Sequence, residues 1–374
     1  MSITQTYNLL RLSVRHRRIT LKKIGHFIDK WRSRKNEFPT LVRFSLFYGC
    51  NLRCTMCGQW GVSGNAEAKY IKDFMPLEKL REIVDEAALH RPEIYVWGGE
   101  PTLHPDFGEF ITYVKKKNLI CTINTNGVLL ERFSDMFIES HVDSLDVSLM
   151  GDRDVHDRIV QVSGTFDRVI RGLETIHEKG KGDRPLVKVI ITLNSYNVDA
   201  IEPLLDRIEQ HPAFDMSIIQ LGWFVPQHQG EIYRERMRNE FGINAVSWRG
   251  FRDDTVQEKA MATMQLIRRI REKGRYGKPI LLFPDIETDA IHSYYTQYEN
   301  RLGQTKCWAL YRELDIRHNG DVVVCADFPD LVVGTVLRQK LEEIWQGEIL
   351  NDLRRSIAER GPLSICNRCC GFFR

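Results

Sequence analysis

No apolar run in this sequence reaches the roughly 20 residues a membrane-crossing helix needs. The N-terminus has no apolar core followed by a small-residue cleavage site, so no secretory signal is read there. Net charge is small: 53 Lys and Arg against 50 Asp and Glu give +3 in 374 residues. That balance lacks the dense basic face nucleic-acid binding uses, and no nucleic-acid partner is expected. Repeats and low-complexity tracts are also missing. The nine cysteines are an odd number, which speaks against a closed disulfide framework. What is present is an ordinary globular composition, 43% hydrophobic and 28% charged, in a chain long enough for two domains or one large α/β domain with an appendage. The thiols are clustered, and clustered thiols without a secretory signal read as metal ligands in a reducing compartment. A cytoplasmic protein is therefore expected.

Residues 1–40 read as a basic amphipathic arm. Leu21, Ile24, Phe27, Ile28 and Trp31 recur at helical spacing, with Lys22, Lys23, Lys30, Arg32 and Arg34 elsewhere on the turn. Such a helix docks on the main domain with its basic side outward, or lies on an anionic membrane surface; docking is the preferred reading. From 41 to 225 short apolar runs alternate with amphipathic segments. Strands are expected at 42–48, 93–97, 119–124, 142–150, 186–194 and 215–224, with helices between them. This alternation implies parallel strands joined by right-handed crossovers. Six units are too few for a closed eight-fold barrel, so a partial (β/α)6 barrel is expected, with its functional residues just after each strand. Residues 226–305 form a helical extension with a long helix over 256–273 and a short strand at 279–283. Residues 306–374 hold a hairpin turning at His318-Asn319-Gly320, then a helix over 341–359, then the last cysteines.

Cys50, Cys54 and Cys57 form a C-x3-C-x2-C group directly after the first strand. Thiolates suit zinc or an iron–sulfur cluster. Structural zinc wants four ligands, and no nearby histidine supplies the fourth. Three ligands on a four-iron cluster leave one iron open to a small molecule. Gly98-Gly99-Glu100-Pro101 follows the second strand, Thr125-Asn126-Gly127 the third, and Ser148 the fourth, with Gly151 and Arg158 beyond. Singly, these are a tight turn or a helix cap. In this order, over about residues 42–224, they resemble the signature of the radical S-adenosylmethionine (SAM) superfamily.

The resemblance implies a [4Fe–4S] cluster on Cys50, Cys54 and Cys57, its fourth iron chelated by the methionine end of SAM. Met56 then lies against the adenine. Gly98, Gly99, Glu100 and Pro101 surround the methionine, with Glu100 accepting from its ammonium. Asn126, Ser148 and Arg158 hold the ribose and carboxylate. Many relatives have Asp two residues after the serine, where this chain has Met150. In the family the reduced cluster splits SAM into methionine and a 5′-deoxyadenosyl radical, which removes hydrogen from an unactivated carbon. The low potential this needs implies a flavodoxin- or ferredoxin-like reductant.

Cys307 and Cys325 flank the hairpin, Gly320 standing in a G-x4-C relation to Cys325, and Cys366 and Cys369 form a C-x2-C pair. Spacing alone leaves zinc and a cluster both open. The arrangement resembles the superfamily's SPASM domain in its shorter twitch form. It implies a small C-terminal α+β domain with one auxiliary [4Fe–4S] cluster on Cys307, Cys325, Cys366 and Cys369, Cys370 being a spare or a substitute for Cys369. Closed by four thiolates, that cluster accepts or relays an electron. Cys121, inside a strand, reads as a buried small apolar residue. The expected activity is a radical SAM oxidoreductase or transferase reaction: oxidation or epimerisation of a small molecule such as a sugar, cyclitol or lipid-linked compound. The alternative is modification of a peptide, and the remote one a non-catalytic iron–sulfur or zinc protein. Trp223, Gln227, His228, Trp248, Arg249 and Tyr295 are the candidate substrate contacts, and no general base is assigned.

Overall fold

The computed structural model describes residues 3–17, 19–21, 24, 38–61, 64–253, 255–274 and 276–373. All six expected strands form: β1 (Leu41–Phe47), β2 (Glu93–Gly98), β3 (Cys121–Thr125), β4 (Ser144–Ser148), β5 (Leu186–Leu193) and β6 (Met216–Leu221). They pair in parallel and in chain order. The helices between them, Leu77–Ala88, Phe107–Lys116, Ser134–Glu139, Thr165–Gly180 and Ile201–Gln210, each bury one apolar stripe. The outward residues of the strands meet that stripe. Val42 and Phe44 of β1 are fully buried, and Phe44 packs edge-on to Phe110 at 5.1 Å. Cys121 is buried in this layer, as its apolar context implies.

The inward face is polar, which is unusual for a packed barrel interior. Arg43 pairs with Glu313 at 2.5 Å and Lys188 with Asp146 at 2.7 Å. Tyr95 Oη donates to Asp146 at 3.3 Å and accepts from Asn124 at 2.9 Å. Such a face cannot be filled by hydrophobic side chains, so it leaves room above it for ligands.

Two elements join the barrel sheet. The short strand of the extension, β7 (Ile280–Phe283), pairs in parallel with β6. The first strand of the C-terminal hairpin, β8 (Glu313–Arg317), pairs in parallel with β1, and β9 (Asp321–Val323) and β10 (Gly334–Thr335) continue antiparallel beyond it. The result is one ten-stranded sheet whose order places the C-terminal hairpin directly beside the first cysteine strand. The expected helix over 341–359 is interrupted: Leu341–Trp345 and Glu348–Arg360 meet at Gly347, whose extended backbone (ψ 153°) starts the second helix.

At the N-terminus a helix covers Ile3–Arg15. It docks on the barrel: Asn8 Nδ2 donates to Tyr276 O at 2.6 Å, and His16 Nε2 lies 3.3 Å from Asp215 Oδ1. Asp215 also holds Arg184 at 2.6 Å. Burial opposes its charge, but bonds from His16 and Arg184 prevail and hold its carboxyl at about 2. Most of the apolar stripe expected between Leu21 and Trp31 lies outside the described residues. Among the described residues, no helix is long and apolar enough to cross a membrane.

Candidate active site between two cysteine groups

The chain leaves β1 at Phe47, and Cys50, Cys54 and Cys57 follow on a loop pinned by its own polar groups. Trp60 Nε1 and Gln59 Nε2 both donate to Tyr48 O, at 3.0 and 3.1 Å. Backbone N–H groups approach two of the sulfurs: Leu52 N lies 3.4 Å from Cys50 Sγ, and Trp60 N lies 3.3 Å from Cys57 Sγ. The three free, half-buried thiols line one cavity of about 130 Å³ with Gly98, Gly99, Glu100, Asn126, Ser148 and Met150. Burial is the main force pushing the Cys50 thiol up to about 12, and it pushes Cys54 up as well, with neighbouring thiols adding to it. Three thiolates here need a positive centre to compensate them, which an iron–sulfur cluster supplies.

The strand ends shape the other wall. Gly98 has φ +135°, and a Cβ on Gly99 would sit 2.3 Å from the carbonyl oxygens of Tyr48 and Gly49. A side chain there would push the Cys50 loop away. Glu100 is 1% exposed. Its Oε1 accepts from Thr102 N, Thr102 Oγ1 and Thr125 Oγ1, at 3.1, 2.5 and 2.8 Å, and its Oε2 from Asn126 N at 2.8 Å. Burial pushes its carboxyl up, and these donors pull it back. Glu100 thus ties the ends of β2 and β3 together, and Oε2 still has capacity for another donor. Asn126 does two jobs. Its Oδ1 accepts from Val128 N at 3.0 Å, and its Nδ2 donates to Asn51 on the cysteine loop at 2.8 Å. The free thiols, glycine cradle and buried carboxylate fit a cluster with SAM.

A larger cavity of about 800 Å³ opens from this site. Cys54, Met56 and Cys57 line one part and Asp327 and Cys370 another, with Tyr95, Trp97, Thr192, Gln220, Trp223 and Phe251 among the walls. Of the six expected substrate contacts, only Trp223 lines it. Trp248 is fully buried, and Tyr295 is buried against Phe224, their rings 6.0 Å apart. Gln227, His228 and Arg249 are exposed. Arg158 is exposed on the helix Arg153–Val160, and Pro101 is buried under the turn; neither lines the two cavities. The inward residues Arg43, Tyr95, Trp97, Asn124, Thr192, Gln220 and Arg317 were missed. Strand parity would have flagged them as the non-core face, but not which end of the barrel is open.

His156 was missed too. It is 1% exposed, its Nδ1 accepts from Met150 N at 3.2 Å, and burial lowers its pKa to about 4. The ring is therefore neutral with its proton on Nε2, which has no hydrogen-bond partner among the described residues, and His156 is one of the residues lining the smaller cavity.

The second thiol group gathers five cysteines. Burial pushes Cys307, Cys325 and Cys366 up, and each also feels others of the group: Cys370, Cys307 and Cys325 among them. Cys370 donates to Asp327 Oδ2 at 3.5 Å and faces the large cavity. Among the described residues no three His, Cys, Asp or Glu side chains converge on a position for a single ion. Five neighbouring thiols, Cys307 and Cys366 buried and the others half-buried, suit a cluster better than one zinc. The C-x2-C turn is held by Arg368, 1% exposed, which donates to Tyr294 O, Gln297 O and Asn300 O at 2.5, 2.8 and 3.1 Å.

Comparison with known proteins agrees. Residues 44–208 match the radical SAM superfamily, and residues 307–370 match the SPASM iron–sulfur cluster-binding domain. The chain is 29% identical to the Fe-coproporphyrin III synthase of Methanosarcina barkeri, over 96% of this chain and 86% of that one. It is 24% identical to the AdoMet-dependent heme synthase of the same organism, over 88% of each. It is 28% identical to the mycofactocin maturase MftC of Mycolicibacterium smegmatis, over 44% of this chain and 41% of that one. In fold it is similar to Streptococcus suis SuiB bound to S-adenosylmethionine, with a TM-score of 0.61, 17% identity and coverage of 90% of this chain and 73% of that one. A three-thiol loop after β1, a glycine cradle after β2 and a thiol-rich C-terminal domain continuous with the sheet leave one assignment: the chain belongs to the radical SAM superfamily and carries a SPASM iron–sulfur domain at its C-terminal end.

Proposed function

We propose that this enzyme removes a hydrogen atom from a peptide substrate held in the large cavity. The observation that carries this reading is the cavity itself. At about 800 Å³ it lies high in the range of ligand pockets and has room for a peptide segment rather than one sugar ring. The maturase relative, similar over 44% of this chain, supports the same choice over the sugar, cyclitol or lipid-linked substrate expected from the sequence. When bound, the cluster and SAM supply the 5′-deoxyadenosyl radical. The protein's own residues do the rest. Trp97, Trp223 and Phe251 wall the cavity and exclude water, while Asn124, Thr192 and Gln220 offer hydrogen bonds that orient the substrate. Asp327 and Cys370 bring the auxiliary thiol group to the same space, where a cluster held by those thiols would supply an acceptor for an electron from the substrate.

A second reading has a specific observation in its favour. The two relatives that align with most of the chain are named as tetrapyrrole synthases, so a carboxylated tetrapyrrole is the competing substrate. The test is anaerobic turnover with SAM and dithionite, adding either a precursor peptide encoded beside the gene or coproporphyrin III. A mass change in the peptide, matched by 5′-deoxyadenosine, is expected. Peptide that returns unaltered while coproporphyrin III is consumed would reverse the order of the two readings.

A further inference from the structure

An unpaired charge drawn partly out of water costs solvation energy, so a charged side chain lining a cavity either has a partner or is built to receive one. Three guanidinium groups line the large cavity, Arg43, Arg252 and Arg317, against two carboxylates, Asp253 and Asp327. Arg43 is engaged by Glu313 at 2.5 Å and lies over the Tyr95 ring at 5.8 Å. Asp253 accepts from the N–H and hydroxyl of Thr255, at 2.9 and 2.8 Å. Asp327 accepts from Cys370. Arg252 is exposed at the rim and has interactions of its own.

Arg317 differs. It is half-buried at the end of β8, and among the described residues its guanidinium has no ion pair and no hydrogen bond. Strand parity sets its direction. Leu314 and Ile316 point outward and are fully buried, while Glu313 and Asp315 point inward, to Arg43 and Trp97. Arg317 shares the inward parity and pairs with Ser45 of β1. The inward carboxyl two residues before it feels the charge of Arg317 but, among the described residues, makes no ion pair with it. Asp315 accepts from Trp97 Nε1 at 2.6 Å, and burial pushes it up to about 7.

We propose that Arg317 anchors a carboxylate of the substrate, in the cavity it shares with Trp97 and the Cys54–Cys57 loop. A guanidinium presents a planar fork of donors that matches a carboxylate's two oxygens. With Arg43 held by Glu313 and Arg252 having interactions of its own, Arg317 is the lining guanidinium left to meet an anion. The anchor comes from the C-terminal domain because β8 pairs with β1. The substrate is thereby gripped by the same hairpin that carries Cys325.

This inference deepens the reading of the cavity as the substrate site and rests on it. An acidic peptide and a carboxylated tetrapyrrole share the recognised group, and the experiment separates them. The reconstituted holoenzyme with SAM is titrated with coproporphyrin III and with its tetramethyl ester. In a second arm it is titrated with a glutamate-containing peptide and the same peptide with glutamine. Quenching of tryptophan fluorescence reports binding, since Trp97 and Trp223 line the cavity. One acid is expected to bind about ten- to a hundredfold tighter than its neutral partner, the usual worth of a charge-assisted hydrogen bond. Arg317→Gln should erase that preference, and Arg317→Lys should keep part of it. Equal binding of acid and neutral partner, binding by neither pair, or a preference that survives Arg317→Gln would overturn the anchor. The acid–neutral comparison uses the unaltered enzyme, so a variant that folds poorly does not remove the test. Reductive cleavage of SAM by that same enzyme tests the radical assignment separately. Cleavage without any charge preference sinks the anchor alone, and no cleavage sinks the assignment under it.

Discussion

Replacing Arg368 by Met keeps most of the side chain's length and removes its charge and its donors. In the folded protein those donors serve the carbonyls of Tyr294, Gln297 and Asn300, and the guanidinium lies over the rings of Tyr294 and Tyr298 at 4.7 and 5.0 Å. Methionine would leave three carbonyls short of a partner. At about 1–1.5 kcal/mol for each, with charged donors toward the upper end, the loss is roughly 3–5 kcal/mol. Cation–π contacts add about 0.5–2 kcal/mol. The cost falls on one place, the turn that presents Cys366 and Cys369. Hydrogen exchange followed by mass spectrometry should therefore show roughly two and a half to five decades less protection in peptides covering 290–300 and 364–373, and little change over β1–β5. Iron in the reconstituted protein should fall from about eight to about four atoms per chain, the first cluster remaining. Protection within threefold of the parent in both peptides would refute this account of how the C-terminal turn is held.

Replacing Cys50, Cys54 and Cys57 with Ala should abolish 5′-deoxyadenosine formation, measured by chromatography with SAM and dithionite. Ala at Cys307 and Cys325 should leave some SAM cleavage while stopping product formation; equal loss of both would mean the auxiliary site is needed for the first step. His156→Phe removes the unpartnered Nε2 donor of a residue that lines the SAM cavity, so SAM affinity in equilibrium dialysis should fall about tenfold, and unchanged affinity would show that this nitrogen does not reach the ligand. Asp315, buried and raised to about 7, binds its proton more tightly folded than unfolded. Its contribution to stability is therefore complete only below the ordinary carboxyl range and is lost as pH rises toward 7. Urea midpoints of the parent should fall relative to Asp315→Asn from about pH 5.5 to 7 and run parallel above that; parallel curves throughout would place the Asp315 carboxyl in the ordinary range.

Much of this molecule was legible from local pattern. Period-two and period-3.6 hydrophobicity reports which face of a segment avoids water, and it located β1 to β6 and most of the helices between them. The thiol loop, Gly98–Glu100 and Ser148 were legible because parallel α/β folds present ligands after strands, so position along the chain implied position in space. The substrate contacts were not. Trp248 and Tyr295 have the residue types of a binding wall, yet both are buried in the core. Gln227 and His228 follow β6 closely but lie on the exposed turn of a helix.

The sequence by itself determined the chemistry of the first step: three thiols at a fixed spacing, a glycine cradle and a carboxylate, all carried on strand ends a few residues apart. Only the tertiary structure decided what surrounds that step. That β8 pairs with β1, bringing Arg317 into the barrel and Cys370 to the large cavity, depends on contacts between segments about 270 residues apart. Such pairing is chosen by the complementarity of whole surfaces, here Arg43 with Glu313 and Trp97 with Asp315, and no local periodicity encodes it.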